Sequence, residues 1–423
     1  MPYFYKMKFK KIEGSSGITV YFEHLPDVRS VSMSWTMFVG SADDESVGSP
    51  GLYHWFEHVP FRGTSKYPGG YTDTKGYISR HGGSVGAYTS THATTYHAHV
   101  PVSIWREALS TITDLMAQPL MTDTAIYAER DIILQEITRK KASLRSFVTY
   151  ELPGIIWKGH PFGHPVLGNE KSLASMNPSI LRKAQEYNYD RSRCALFVSG
   201  NLDEKKLLSE LDTLVPLIQK RGLSPRHSAA SYGVLPVWQR GVVTSIKTEH
   251  ELSIVLVLFP IADKMSLKER FRRSLVEHIF GFGGLDSPLY KVLREERKLV
   301  YSAEIIANEV PGGGYWGFYA ETRPEDMNAT ISAIKDLIQN PEIISEDRLN
   351  TVKAGLRGSF DIRPIDPDKH RSYTVQRVIN TGIAYSDEEY LNSIDSIRIE
   401  EIREAIQKID PNDAHIVIFR KAL

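Results

Sequence analysis

The sequence predicts an α+β protein of two similar halves, of which only the first carries a complete metal-binding motif. The chain has 423 residues, enough for two or three domains of ordinary size. A strand followed by a helix occurs twice, because a predicted strand at 31–38 and helix at 51–64 are matched by a strand at 253–259 and a helix at 267–281. The first helix contains the pattern His54-x-x-Glu57-His58, and the second contains a partial copy of it.

Charge and composition exclude several classes of protein. Lys plus Arg and Asp plus Glu each number 51, so the net charge is zero and no bulk field favours nucleic acid or a membrane surface. Cys194 is the single cysteine, which excludes an internal disulfide and fits a reducing compartment. No apolar run approaches the roughly 20 residues that span a bilayer, and residues 1–11 lack the apolar core of a signal peptide. We therefore expect a cytoplasmic protein with no nucleic-acid and no membrane partner.

Alternating apolar residues predict the strands of the first half. Strands are expected at 17–23 and 31–38, and an acidic loop at 40–51 leads from the second of them into the motif helix. A Gly-rich turn at 82–86 opens a further strand, which we expect to run through 87–89 and to continue at 94–100 until Pro101 ends it.

Helical spacing of apolar residues, with Asp and Asn at helix starts, predicts the helices that follow. They are expected at 105–116, 123–143, 177–187 and 203–220, with Asp123 as the cap of the second and a buried strand at 194–199 before the last. A stretch rich in Gly, Ser, Pro and Ala then predicts a linker at 226–236. The expected domains are therefore 1–225 and 237–423.

The motif helix has the geometry of a zinc site. At about 100° per residue, His54 and His58 leave the helix only about 40° apart, and Glu57 lies near the same face. Two imidazoles at this spacing suit tetrahedral Zn²⁺, and a neighbouring carboxylate can take a proton from a metal-bound water. The H-x-x-E-H order is a known zinc-peptidase signature. The alternative is that the pattern occurs by chance. A third ligand elsewhere in the chain is needed to decide between a zinc site and a chance pattern.

Two other groups of residues are weaker candidates for a metal site. A shift of 220 residues aligns Glu57-His58 with Glu277-His278 but places Ser274 opposite His54, and two groups without a third ligand hold zinc poorly. His97 and His99 share one face of the predicted strand, although polar residues on a half-exposed strand are the simpler explanation.

The helix at 123–143 supplies candidates for the third ligand. Glu129 and Glu136 are seven residues apart, which is two turns, so they share one face. Surface helices carry Glu routinely, and periodicity alone does not select either residue.

With these motifs the chain resembles the inverzincin family of pitrilysin, insulin-degrading enzyme and the mitochondrial processing peptidase, and in particular its single-repeat bacterial members. These proteins follow H-x-x-E-H with E-R-x-x-x-x-x-E, which is Glu129 to Glu136 here. The resemblance covers nearly the whole chain through segments in the expected order, namely 39–41, 61–64, 87–90, 163–168, 200–203, 283–290 and 293–301.

The resemblance implies roles for residues that the pattern alone does not assign. Glu136 is implied as the third ligand of one Zn²⁺ per chain, and Glu129 as a carboxylate that orients a ligand. Arg294 and Tyr301 have the spacing of the family's substrate-contacting pair, and Ala87, Tyr88 and Thr89 correspond to its substrate-binding edge strand. The implied fold is two homologous domains, each an antiparallel-rich sheet packed by helices, forming half of a clamshell.

Three departures from the family pattern lie beside the expected substrate path. Gly86 stands where the family usually has Asn, His92-Ala93 replaces a common Glu-His pair, and residues 67–75 have an unusual content of Pro, Gly and Tyr. All three leave the metal residues intact and bear on substrate preference.

From these residues we expect a zinc-dependent endopeptidase that cleaves unfolded or short peptides. Because the family's zinc half and Arg/Tyr half meet from different repeats, the resemblance implies a homodimer, with a heterodimer as the alternative assembly. The competing functions are a non-catalytic subunit, against which the complete zinc and base residues argue, and a processing-peptidase subunit that requires a partner chain.

Overall fold

The protein is described by a computed structural model that covers residues 8–14, 17–224, 232 and 234–421. Two compact units emerge from it, and both contain a sheet packed by helices, as the sequence predicts. The described residues of Met7–Pro236 and Ile365–Tyr385 form the first unit, and those of Val237–Pro364 and Ser386–Leu423 form the second. Most of the predicted linker, at 226–231 and 233, lies outside the described residues.

A six-stranded sheet organises the first unit, in the order β1-β2-β6-β3-β5-β4. All neighbouring pairs are antiparallel except β2 and β6, which are parallel. Strand β4 is therefore an edge strand. The strands are β1 (Lys10–Glu13), β2 (Thr19–His24), β3 (Ser30–Met37), β4 (Ser84–Thr89), β5 (Thr94–Pro101) and β6 (Cys194–Gly200).

The single strand predicted across 87–100 is wrong, because β4 and β5 are two strands of a hairpin. The chain turns at Ser90, whose backbone N–H donates to the carbonyl of Ala93 over 2.8 Å. The Ser90 hydroxyl also accepts from the backbone N–H of Ala93 at 3.1 Å. Ser90 satisfies backbone groups of the turn with its own side chain. The chain therefore reverses here without the Gly or Asn by which a turn is usually recognised in a sequence.

Helices cover the apolar face of this sheet. Val31, Met33, Trp35 and Met37 of β3 are fully buried against them, as the alternation predicts. The helices of the first half are α1 (Leu52–His58), α2 (Tyr77–Arg80), α3 (Trp105–Ala117), α4 (Asp123–Ala142), α5 (Leu144–Ile156), α6 (Glu170–Ser175), α7 (Pro178–Asn188) and α8 (Glu204–Leu214).

The second unit has a five-stranded sheet in the order β7-β11-β8-β10-β9. Its strands are β7 (Val243–Thr248), β8 (Ser253–Ile261), β9 (Val300–Val310), β10 (Gly313–Thr322) and β11 (His415–Lys421). Its helices are α9 (Leu267–Gly281), α10 (Pro288–Tyr290), α11 (Met327–Gln339), α12 (Glu346–Asp361), α14 (Asp387–Ser396) and α15 (Ile399–Gln407).

Helix α13 (Pro367–Thr381) belongs to the first unit, although it lies in the range predicted for the second. It covers the other face of the first sheet, where Arg371 donates to the Ser32 hydroxyl at 2.8 Å and His370 contacts the Glu23 carboxylate at 3.1 Å. Val375 and Ile379 pack on Phe197 of β6. Both faces of β3 are therefore buried, and its serines and threonines are not solvent-facing as simple alternation suggests.

Candidate metal centre

A buried carboxylate fixes the start of the motif helix α1. Asp44, in the loop before the helix, accepts hydrogen bonds from the backbone N–H groups of Gly51 at 2.7 Å and Tyr53 at 3.0 Å. These are donors that the first turn of a helix leaves without intrahelical partners. Burial raises the pKa of Asp44 well above its usual range, and these hydrogen bonds partly offset the increase.

Gly51 allows the chain to enter α1 at this angle. Its φ is 95°, in the left-handed region, and a Cβ there would lie 2.7 Å from the carbonyl oxygen of Leu167. Both the backbone conformation and the close approach of another segment therefore require glycine.

The structure brings His54 and His58 of α1 together with Glu136 of α4. One donor atom from each of the three lies within 4.8 Å of the other two, and no other such group of three occurs in the described part of the chain. A carboxylate oxygen of Glu136 lies 3.7 Å from Nε2 of His54 and 3.9 Å from Nε2 of His58. Two ligands of a tetrahedral zinc with bonds of about 2.1 Å are about 3.4 Å apart. Small side-chain shifts would therefore complete the set, and the residues fit this metal.

Burial and neighbouring charges shift the pKa values of the two imidazoles in opposite directions. Burial, followed by the charge of His58, lowers the pKa of His54 to about 3, so its imidazole is neutral at neutral pH. Burial would lower the pKa of His58 as well, but the hydrogen bond to Glu129 and the neighbouring carboxylates outweigh it and raise that pKa. Neutral imidazole is the form that binds Zn²⁺, so the shift at His54 favours metal binding, whereas at His58 a metal would displace a proton.

Glu129, two turns before Glu136 on α4, supports His58 from behind. Its side chain is fully buried, and its carboxylate lies 2.9 Å from Nδ1 of His58. It also accepts a hydrogen bond from Nε of Arg62 and one from the Tyr71 hydroxyl at 3.4 Å. An N–H at Nδ1 that donates to this carboxylate leaves Nε2, the nitrogen that faces Glu136, free as a ligand.

Glu57 lies in a buried position beside the three donors. Thr89 of β4 donates to its carboxylate at 2.9 Å. Burial raises the pKa of Glu57 to about 7, while the charge of His58 and the Thr89 hydrogen bond lower it only in part. A carboxyl group that titrates near neutral pH has the proton affinity that general acid–base work requires.

A cavity of about 430 Å³ joins these residues to the edge strand β4. His54, Glu57, His58 and Glu136 line it. The predicted substrate-binding residues Ala87, Tyr88 and Thr89 line it as well, together with Gly86, Phe61, Tyr71, Lys75, Arg139, Lys140, Val166 and Leu167. The candidate metal ligands, the candidate base and the free edge of a sheet thus face one space.

Arg294 and Tyr301 lie in the second unit, and their predicted roles stay predictions. Both side chains are exposed, and Tyr301 is 71% accessible. The guanidinium of Arg294 lies 5.0 Å from the ring centroid of Tyr290 and 5.8 Å from that of Tyr301. The pair is therefore preassembled on the surface of its own unit by cation–π contacts.

The partial copy of the motif on α9 is engaged in other contacts. Glu277 pairs with Arg273 four residues earlier, and Nδ1 of His278 lies 2.6 Å from the carbonyl oxygen of Ser274. His99 contacts the Ser30 hydroxyl at 3.0 Å. Neither group gathers three metal-donor side chains among the described residues.

Tyr71 and Lys75 line the cavity and Arg62 contacts Glu129, and the sequence assigned no role to any of them. Tyr71 and Lys75 lie in the segment 67–75, whose unusual composition is one of the departures beside the expected substrate path, but no periodic pattern indicates which of its side chains face the cavity. The segment Thr72–Gly76 forms one π-helical turn, and such turns often occur at functional sites.

Similar proteins share both the sequence and the fold. Residues 19–170 match the family described as Insulinase (Peptidase family M16), and residues 175–356 match the Peptidase M16 inactive domain. An uncharacterized zinc protease of Rickettsia felis is 24% identical, over 96% of this chain and 95% of that protein. The mitochondrial-processing peptidase subunit beta of Saccharomyces cerevisiae is 25% identical, over 92% of this chain and 85% of that protein.

Solved structures show the same fold at lower sequence identity. A protease from Helicobacter pylori is 16% identical with a TM-score of 0.86, covering 98% of this chain and all of that one. Pitrilysin is 18% identical with a TM-score of 0.76, and the alignment covers 98% of this chain but 45% of pitrilysin.

In the described residues, no helix is long and apolar enough to cross a membrane.

Proposed function

We propose that this chain, which belongs to peptidase family M16, is a zinc-dependent endopeptidase for unfolded or short peptides. One observation carries the proposal. His54, His58 and Glu136 converge within 4.8 Å of one another, in a cavity that Glu57 and the edge strand β4 also line. A metal scaffold without hydrolysis would not need a carboxylate of raised pKa beside its ligands.

His54, His58 and Glu136 would hold one zinc ion per chain. When bound, the ion supplies Lewis-acid activation of a water and of the peptide carbonyl. Glu129 holds the ring of His58 in position through Nδ1. Glu57 accepts the proton of the attacking water and later delivers it to the leaving amine. Thr89 fixes one oxygen of that carboxylate, which leaves the other for the proton.

The substrate would bind as an added strand along β4. This strand is at the edge of its sheet, so its outer backbone groups can pair with an extended peptide near Ala87, Tyr88 and Thr89. A folded protein does not offer a free strand of this kind, which is why the proposal is confined to unfolded or short peptides.

We propose a homodimer in which the exposed Arg294 and Tyr301 of one chain donate hydrogen bonds to a substrate at the metal centre of the other. The chain aligns with 45% of pitrilysin, which fits one half of a two-repeat architecture.

The cytoplasm is the proposed location, because a single cysteine in 423 residues is typical of a reducing compartment.

Metal removal tests the peptidase activity. The purified protein is expected to cleave an unstructured quenched-fluorescent peptide, to lose this activity on chelation, and to regain it with one zinc per chain. Cleavage that continues after chelation, with no zinc left in the protein, would contradict the proposal.

A mixing experiment tests the shared site. Glu57→Gln and Tyr301→Phe chains are each expected to be impaired, and equal mixing with subunit exchange should restore about a quarter of the wild-type sites, because half the dimers are mixed and each has one intact site. Recovery does not occur if both groups act within one chain.

The alternative function is a processing-peptidase subunit that needs a partner chain, which the similarity to a subunit of a mitochondrial peptidase favours. Zinc-loaded protein that is inert alone but active after addition of a second family member would support this alternative.

A further inference from the structure

Three cationic side chains line the candidate active-site cavity and have no assigned role in the metal centre. Lys75 comes from the π-helical turn Thr72–Gly76 on one side. Arg139 and Lys140 come from α4, one turn after Glu136. Residues three and four positions apart on a helix share a face. Arg139 and Lys140 therefore lie on the same face of α4 as Glu136, which faces the cavity.

Lys75 is held in place by aromatic rings. Its ammonium nitrogen lies 4.4 Å from the ring centroid of Phe61 and 5.1 Å from that of Tyr71. Its side chain is half-buried, and burial lowers its pKa, an effect that the charges of Glu57 and Glu129 partly offset. In the residues that the structure describes, no carboxylate forms an ion pair with this ammonium group. A desolvated cation positioned in this way is prepared to receive an anion from outside the chain.

The charge balance of the cavity points in the same direction. Its two carboxylates, Glu57 and Glu136, are assigned to proton transfer and to metal binding. Arg139 and Lys140 are exposed, and within the described ranges neither forms an ion pair. Positive charges therefore outnumber negative ones around a bound peptide even before a divalent cation is added.

We propose that the cavity selects peptides with an acidic side chain next to the scissile bond, with Lys75 as the main specificity determinant and Arg139 and Lys140 as outer contacts. This inference rests on the proposed peptidase function and names the class of substrate. A substrate carboxylate would form the ion pair that Lys75 lacks among the described residues, while its ammonium group stays on the two rings.

The test compares two quenched peptides that differ only by Glu or Gln beside the cleaved bond. For the wild type, kcat/KM is expected to be about tenfold higher for the Glu peptide, the size of one hydrogen-bonded contact to a charged group. In Lys75→Met most of this preference is expected to be lost, which leaves only the smaller part that Arg139 and Lys140 contribute. Charge reversal in Lys75→Glu is expected to invert it. The wild-type ratio should also shrink as salt is raised.

Lys66→Met is the matched control. The Lys66 ammonium also stacks on a tyrosine, 5.3 Å from the Tyr67 ring centroid, and contacts the Ser110 hydroxyl at 2.6 Å, but Lys66 does not line the cavity. The control is expected to keep the wild-type ratio. An Arg139→Gln/Lys140→Gln double variant is expected to reduce the ratio by less than Lys75→Met does.

Binding is measured separately, by fluorescence anisotropy of the same peptides with the zinc-loaded Glu57→Gln protein, where a tighter Kd for the Glu peptide is expected. Wild-type protein that cleaves and binds both peptides equally overturns the acidic preference and leaves the peptidase function standing. A ratio that persists in Lys75→Met overturns the assignment to Lys75. Absence of cleavage overturns the proposed function, and the anisotropy comparison then still decides whether the cavity prefers acidic peptides.

Discussion

Replacing Glu129 with glutamine measures how much the support of His58 contributes to metal binding. The substitution keeps the shape of a side chain that is fully buried and removes only its charge and one acceptor. Glu129 now serves three donors: Nδ1 of His58 at 2.9 Å on one oxygen, and Nε of Arg62 and the Tyr71 hydroxyl at 3.4 Å on the other. If the amide oxygen of glutamine serves Arg62 and Tyr71, its NH₂ group must face His58.

The magnitude follows from the hydrogen bond that changes. Hydrogen bonds to charged groups contribute about 1.5–3 kcal/mol and neutral ones about 0.5–1.5 kcal/mol, so the exchange costs the ligand His58 about 1–2 kcal/mol. That is about 5- to 30-fold in Kd. Loss of a group that orients a metal ligand costs about 10- to 100-fold. We therefore expect zinc binding to weaken about 10- to 30-fold, where the two ranges overlap.

The assay is competition for zinc between the protein and a chromophoric chelator of known affinity. Glu210→Gln is the control, because Glu210 also pairs with an arginine, Arg106 at 3.2 Å, but on the surface away from the cavity. The control should retain wild-type affinity. A Glu129→Gln protein whose zinc Kd is within twofold of the wild type would refute the role assigned to Glu129.

Three further predictions concern the elements around the site. Asp44→Ala leaves two backbone N–H groups at the start of α1 without their acceptor, so the free energy of unfolding measured in urea should fall by about 2–4 kcal/mol. Burial lowers the pKa of His92 to about 3, so the unfolded chain takes up this proton near pH 6.5 and the folded chain does not. The stability difference between wild type and His92→Phe should therefore shift against the wild type by about 1.4 kcal/mol per pH unit below about pH 6.5. Gly86→Asn restores the usual family residue, but a Cβ at this position meets the imidazole of His97 at 3.1 Å; we expect a lower melting temperature, recovered in part when His97→Ala is added.

Each of these has a result that would contradict it. An Asp44→Ala protein as stable as the wild type would show that the loop does not anchor α1. A stability difference for His92→Phe that is constant between pH 7.5 and 5 would contradict a neutral buried imidazole. A Gly86→Asn protein that melts like the wild type, with no effect of His97→Ala, would remove the steric reason for glycine in β4.

The convergence of the candidate metal ligands was largely predictable because it depends mainly on local geometry. The i, i+4 spacing of His54 and His58 on one helix fixes their common direction regardless of the rest of the fold. Local spacing could not decide which of Glu129 and Glu136 is the third ligand, because both lie on one face of α4. The family resemblance assigned them different roles, and in the structure they have different neighbours: Glu129 contacts Nδ1 of His58, whereas Glu136 approaches Nε2 of both histidines.

Features that depend on tertiary packing were missed. The return of α13 to the first sheet follows from buried polar contacts such as Arg371 to Ser32, which join residues 339 positions apart and leave no periodic signal. The hairpin between β4 and β5 was read as one strand because a serine turn has no Gly signature. N-terminal capping of α4 by Thr122, and not by the predicted Asp123, is an error of one residue, as expected where both types are good caps.

The most direct measurement of the central claim is peptide cleavage by wild-type and Glu57→Gln proteins at equal zinc occupancy. If Glu57 moves the proton at a zinc held by His54, His58 and Glu136, the variant should bind one zinc per chain and lose about 10²- to 10⁴-fold in kcat. A Glu57→Gln protein that cleaves at the wild-type rate with the same zinc content would contradict the account.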